Sequence, residues 1–289
     1  KARWLDPEKN LANGAELRAC VVHQPRPACG PAMRIASWNV NSIRARLGSL
    51  TRWLDAQQPD VLLLQETKVI DDDFPNDELL RRGYSTVFAG GKSYNGVAIL
   101  SQRPIRDVTI GFPDDGPEAD KRLITATIQG LRISSAYIPN GKDIAHPAFE
   151  EKLVWLTRLR SFLAEQRQKN GLPVIVGGDF NVAHGPKDVW SAALLEGQLH
   201  FHPRERAQLD ELISLGLFDS FRCFCDAAER YSWWDYRGTS VARNRGLRID
   251  YLFIDEALRA RCTAAGIDSD TRYWDKPSDH VPVWIELSD

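Results

Sequence analysis

Val174-Ile-Val-Gly-Gly-Asp179-Phe-Asn181 reads as a short apolar strand that stops at a carboxylate and an amide. The same grammar recurs along the chain. Val61-Leu-Leu-Leu-Gln-Glu66 ends on a glutamate, and the run starting at Arg34 ends on Asn39. Nearer the C-terminus, Asp250 opens a strand and Asp279-His280 precedes Val281-Pro-Val-Trp. One Asp at a strand end is ordinarily a turn former or a cap. Several such ends, if they converge, form a buried acidic cluster that needs pairing, hydrogen bonds or a cation. Carboxylates and amides are hard oxygen ligands, suited to Mg²⁺ or Mn²⁺ rather than zinc. A histidine beside them supplies a group that binds or protonates a phosphate near neutral pH.

Outward from these segments, strand-like runs fall at 34–38, 61–64, 97–101, 123–128, 132–137, 174–176, 249–254 and 281–285. Helical periodicity marks 47–56, 149–168 and 204–215, the long one with an apolar stripe at Leu153, Leu156, Leu159 and Leu163. Many strands with several helices suggest an α/β chain, two packed sheets with helices outside. The 289 residues suit one large domain, and 43% hydrophobic with 26% charged residues is ordinary globular composition. No apolar run approaches the roughly 20 residues of a membrane span, so no membrane association is expected. A net charge of −2 means that any nucleic-acid binding needs a local basic face. Five cysteines without an export signal point to a reduced, cytoplasmic setting and no disulfide framework. Cys223 and Cys225 are too closely spaced for a zinc knuckle. Residues 1–32 carry Pro25, Pro27 and Pro31 with little periodicity, and Met33 is the only methionine. The expected division is an accessory extension, 1–32, and one catalytic domain, 33–289.

Four segments, Trp38-Asn-Val-Asn-Ser-Ile-Arg44, Leu64-Gln-Glu-Thr-Lys68, Gly178-Asp-Phe-Asn181 and Pro277-Ser-Asp-His280, occur in an order and spacing that resembles the exonuclease III family of abasic-site endonucleases. Tyr137-Ile-Pro-Asn-Gly141, Tyr231-Ser-Trp-Trp-Asp-Tyr-Arg237 and Asn244-Arg-Gly-Leu-Arg-Ile-Asp-Tyr251 agree with it, and the resemblance runs from Met33 to the end.

The resemblance implies a four-layer α/β sandwich, two packed mixed β-sheets flanked by helices, with the site at one edge. It implies Glu66 as the main metal ligand with Asn39 and Asp279, and Mg²⁺ or Mn²⁺ as cofactor. It assigns Asp179 to the attacking water, and Asn181, Tyr137 and His280 to the phosphate, with Asp250 fixing the tautomer of His280. Either Asp179 or His280 could be the base. Trp233 would line a pocket for an extruded abasic sugar, walled by Leu247 and Ile249, with Asn140 also on the substrate side. Some relatives place a tryptophan where this chain has Leu247. Trp234, its neighbour, should face the core. Asn41 has equal standing as an outer support of the site or as a turn former. His184 could face substrate or be an ordinary loop residue; His23, His146, His200 and His202 sit in no motif and are read as structural or exposed. Arg44, Arg46, Lys121-Arg122, Lys142, Arg245 and Arg248 are candidate phosphate contacts that would position a duplex without reading its sequence.

The expected activity is thus backbone cleavage 5′ to abasic sites, with 3′→5′ exonuclease and 3′-end trimming, by a monomer acting on double-stranded DNA with abasic sites or damaged 3′ ends. The same fold also serves phosphodiesterases acting on RNA, lipid or inositol phosphates. A non-catalytic DNA-binding scaffold is the other class of reading, and it would expect Glu66, Asp179 or His280 to be missing.

Overall fold

The computed structural model describes residues 32–91 and 95–289. The expected extension, 1–32, lies outside them but for Ala32, as does His23. In chain order the strands are β1 (Met33–Asn39), β2 (Val61–Gln65), β3 (Ser85–Ala89), β4 (Val97–Ser101), β5 (Arg106–Ile110), β6 (Leu123–Ile128), β7 (Leu131–Tyr137), β8 (Val174–Asp179), β9 (Leu217–Asp219), β10 (Asp250–Asp255), β11 (Cys262–Ile267) and β12 (Val283–Leu287). The α-helices are α1 (Leu47–Gln57), α2 (Asn76–Leu80), α3 (Pro147–Asn170), α4 (Ala192–Leu195), α5 (Pro203–Ile213) and α6 (Ser220–Phe224).

The strands form two six-stranded sheets, in the orders β11-β12-β1-β2-β4-β3 and β5-β6-β7-β8-β10-β9. Both are mixed: β1 runs parallel to β2, β7 parallel to β8, and the other pairings are antiparallel. One apolar cluster lies between the sheets and takes Ile35, Leu63 and Ile99 from one and Ile133, Ile175 and Leu252 from the other. A second joins Leu156, Leu159 and Leu163 of α3 and Leu209 of α5 to Val174 and Val176. A third joins Leu50, Trp53 and Leu54 of α1 to Leu62 and Leu64. Central strands are therefore buried on both faces, which is why they read as unbroken apolar runs rather than alternating ones. Helix, sheet, sheet, helix is the four-layer sandwich expected.

The helices flanking the second sheet begin where histidines cap them. His146 accepts from the Ala148 N–H and precedes Pro147 of α3; His202 accepts from the Arg204 N–H and precedes Pro203 of α5. A capping side chain followed by Pro at the first helical position is a strong start signal. Of the thiols, Cys223 and Cys262 are free. Cys225 is disulfide-bonded. Among the described residues no helix is long and apolar enough to cross a membrane.

Strand direction fixes where the carboxylates meet. The C-terminal ends of β1, β2, β7 and β8 share one edge because each parallel pair points the same way. β10 and β12 run antiparallel to β8 and β1, so their first residues arrive at that edge too. Register puts Asp250 and Tyr137 opposite Asp179 on either side. Close approach of β8 to β7 requires Gly178, where a Cβ would lie 1.8 Å from the Ala136 carbonyl oxygen.

Candidate active site

Asn39 stands at the centre of this edge. Its Nδ2 donates to Glu66 Oε1 at 2.8 Å and to Asp179 Oδ2 at 2.9 Å, while its Oδ1 accepts from the Asn41 N–H at 3.0 Å. Two carboxylates from different sheets thus converge on one amide nitrogen. His280 Nε2 lies 3.6 Å from Asp179 Oδ2, and His280 Nδ1 donates to Asp250 Oδ2 at 2.9 Å. Donor atoms of Glu66, Asp179 and His280 all fall within 4.8 Å of one another, close enough to share a metal ion. Carboxylates this close and this buried repel unless a cation sits between them, so the donor set fits a hard divalent ion.

Of the expected ligands Glu66, Asn39 and Asp279, Glu66 is one of these three donors, and Asn39 adjoins it by hydrogen bond. Asn39 turns its amide nitrogen to the carboxylates and keeps its oxygen for backbone. Asp279 accepts from Asn41 Nδ2 at 2.8 Å and from Trp233 Nε1 at 3.0 Å. Asn41 therefore ties Asp279 to Lys68, whose Nζ donates to Asn41 Oδ1 and pairs with Glu66 Oε2, each at 2.6 Å. Sequence reasoning gave Lys68 no role. Its place within Leu-Gln-Glu-Thr-Lys was the available signal.

Burial and charge set the protonation. Burial works against the His280 imidazolium, but Asp250, Asp179 and Asp279 around it outweigh that and raise its pKa. Burial also pushes the Asp179 carboxyl up, opposed by the charge of His280 and reinforced by Asp250 and Glu66. In Asp279 burial is overcome by His280 and the hydrogen bonds from Asn41 and Trp233, so its carboxyl is held below the usual range. The Tyr137 hydroxyl is raised by burial and by the charges of Glu66 and Asp179. Arg122 stacks over its ring at 4.7 Å.

Asn181 N–H donates to Asp179 Oδ1 at 2.9 Å, and its Nδ2 to the Ile138 carbonyl at 3.0 Å. Asn140 Nδ2 donates to Asn181 Oδ1 at 3.2 Å. Asn140, Asn181 and Asp179 thus form one hydrogen-bonded wall, with Tyr137 opposite Asp179 in the strand register. On the opposite side, Trp233 packs on the cluster of Leu247, Ile249, Val189 and Phe201. Its backbone makes isolated bridges to Leu247 and His280 rather than a strand. Trp234 points away, buried with Tyr231 and Val281, and its Nε1 donates to Asn244 Oδ1.

Two histidines stand out. His184 pairs with Asp210 at 2.7 Å, away from the acidic cluster. His200, which no motif singled out, lies at the site: its Nδ1 donates to the Asn181 carbonyl at 2.6 Å, and its ring centroid is 6.4 Å from that of Trp233. Burial, with Lys152 nearby, pushes its pKa down to about 3, so the imidazole is neutral.

The basic contacts divide. Arg245 is exposed beside Trp190, 4.8 Å from its ring. Arg122 is half-buried and pairs with Asp120 at 2.8 Å. Arg248 is 1% exposed, which corrects its expected role. Its guanidinium donates to Asp188 at 2.7 Å and pairs with Asp219 at 2.6 Å, and Arg222 pairs with the same Asp188. It braces the loop from within and cannot reach a phosphate.

Comparison with known proteins agrees with this geometry. Residues 36–280 match the endonuclease/exonuclease/phosphatase family. Exodeoxyribonuclease III of Haemophilus influenzae is 36% identical over 88% of this chain and all of its own length. Among solved structures, the 3′ phosphatase NExo from Neisseria, bound to a product DNA hairpin, superposes with a TM-score of 0.86 at 35% identity, covering 89% of this chain and all of that one. An AP endonuclease from Archaeoglobus fulgidus gives 0.85 at 36% identity with the same coverage. The chain belongs to the endonuclease/exonuclease/phosphatase family.

Proposed function

We propose that this protein is a divalent-metal-dependent DNA-repair phosphodiesterase that cuts the backbone 5′ to abasic sites and trims 3′ ends, as a monomer in the cytoplasm. The carrying observation is the convergence of Glu66, Asp179 and His280 on one sheet edge, with Trp233 forming an apolar wall beside them. The site can hold Mg²⁺ or Mn²⁺ at Glu66, with Asp179 the second carboxylate beside it. Bound there, the ion supplies charge neutralisation for the scissile phosphate and the leaving oxygen.

This chain's own groups divide the remaining work. The raised pKa of His280 makes it a cation that donates to a phosphate oxygen through Nε2, while Asp250 holds its Nδ1–H. That leaves Asp179 to orient and deprotonate the attacking water. Asn181, Asn140 and the Tyr137 hydroxyl face the same phosphate, and Arg122 and Arg245 would carry flanking phosphates. The names of the relatives support DNA as substrate, and the presence of Glu66, Asp179 and His280 speaks against a non-catalytic scaffold.

A second reading, 3′-end processing without efficient abasic incision, is favoured by His200, whose imidazole adds a polar ring beside Trp233. Side-by-side assays on abasic, 3′-phosphate and intact duplexes with and without Mg²⁺ test both. Cleavage of the abasic strand supports the first reading. Release of phosphate alone supports the second, and no metal-dependent hydrolysis of any duplex contradicts both.

A further inference from the structure

Lys152 has no exposed surface, and neither has its partner Glu205. The lysine is on α3 and the glutamate on α5, and the two form a buried ion pair. The Lys152 ammonium also donates to the backbone carbonyls of Asn181 at 2.7 Å and Asn140 at 3.2 Å. A buried ion pair of this kind is seldom more stabilising than apolar side chains of the same volume. Its effect here is to join one helix to two loops, and both loops belong to the site.

The joined residues are those whose side chains surround Asp179. Asn140 donates to the Asn181 side chain, and the Asn181 N–H donates to Asp179. Asn181 has φ 52, in the left-handed region that asparagine adopts more readily than most residues. The turn after Asn140 rests on the lysine stem: a Cβ at Gly141 would lie 3.2 Å from Lys152 Cδ.

We propose that Lys152 is a positioning residue for phosphodiester cleavage: its buried ammonium pins the carbonyls of Asn140 and Asn181 and so fixes the Asn181 amide and the Asp179 carboxylate against the scissile phosphate. The inference rests on the proposed phosphodiesterase reading. Glu205 serves as the counter-charge. It accepts also from the His202 N–H at the start of α5, and it touches neither loop carbonyl.

The test uses the full chain and a duplex that the wild type cleaves with Mg²⁺. Wild-type inactivity on every duplex overturns the underlying reading; the following outcomes concern Lys152 alone. The variant K152M/E205Q removes the ammonium without leaving a lone buried charge. A folded double variant should lose about tenfold to hundredfold in kcat with KM little changed, because misplacement of a catalytic group by about 1 Å costs on that order. In an Asn181→Ala background the same double change should cost less than it does in the wild type, since one of the two positioned groups is gone. Undiminished kcat, or a loss equally large in both backgrounds, overturns the proposal. Glu205→Asp keeps a counter-charge beside the ammonium and leaves its two carbonyls in place, so its kcat should stay within about threefold of wild type. A loss as large as that of the double variant would make the pair a general core element and overturn the positioning role. If the double variant fails to fold, the single variant still decides by the same criterion.

Discussion

His280 Nδ1 lies 2.9 Å from Asp250 Oδ2, with both side chains buried; Asp250 opens β10, and His280 lies just ahead of β12 in the other sheet. The contact does two things at once. It fixes which imidazole nitrogen faces the acidic cluster, and it places a negative charge where it stabilises the protonated ring. The pair also crosses between the sheets at the site edge, so the alignment of the two layers determines its length.

Asp250→Asn should therefore change chemistry more than binding. The amide cannot stabilise the imidazolium, so the His280 pKa, raised in the wild type, should fall toward ordinary histidine values. The kcat should drop by about a hundredfold or more, in the range of a mispositioned acid–base group. Imidazole NMR together with single-turnover rates checks this. An unchanged His280 titration with an unchanged rate contradicts the assignment.

Asp188 gives a pH dependence of stability. Burial alone would raise its carboxyl, but the charges and hydrogen bonds of Arg248 and Arg222 outweigh that and lower it from 3.8 to about 2. The folded state thus binds the proton less tightly than the unfolded chain. The contribution is complete above pH 3.8 and is lost as pH falls through about 2, amounting to about 2 kcal/mol. Denaturant unfolding of wild type and Asp188→Asn should show a stability gap that is constant near neutral pH and narrows between about pH 4 and pH 2. A gap independent of pH contradicts the pairing.

The adjacent tryptophans should separate function from stability. Trp233→Ala should lower kcat/KM on the duplex with little change in Tm, since the ring lies at the site and is only partly buried. Trp234→Ala should cost about 3–5 kcal/mol, as for other buried aromatic truncations, and reduce activity only through unfolded material. The reverse pattern would move the pocket to the other side of this segment.

Arg245 and Arg248 stand three residues apart with opposite expectations. Arg245→Ala should leave Tm unchanged, weaken DNA binding and reduce the salt dependence of log Kd by about one phosphate contact. Arg248→Ala leaves Asp188 and Asp219 buried without this partner and should destabilise by about 3–5 kcal/mol. Equal Tm losses in the two variants would contradict the division.

Much of this was legible in the sequence, and the exceptions share physical causes. The central strands announced themselves as apolar runs. The four strands that left no such trace, β3, β5, β9 and β11, are the four sheet edges. Edge strands bury less, so β5 carries Arg106 and Asp107 and presents mostly exposed residues. Glu66, Asp179 and His280 were legible because a carboxylate or imidazole at the end of an apolar strand is costly without a purpose. Arg248 was misread because a short basic loop looks the same whether its arginine faces water or a buried aspartate. Lys152 and His200 left no local signal, as their partners Glu205 and Asn181 are 53 and 19 residues away.

The central claim is that Glu66 holds the metal that this site needs for hydrolysis. Single-turnover cleavage of a DNA duplex by wild type and Glu66→Ala, in EDTA and across a Mg²⁺ titration, measures it directly. The wild type should be inactive in EDTA and recover fully with Mg²⁺. Glu66→Ala should keep its fold by circular dichroism and remain inactive at every Mg²⁺ concentration. Cleavage by wild type in EDTA, or near wild-type turnover by Glu66→Ala at saturating Mg²⁺, would contradict the account.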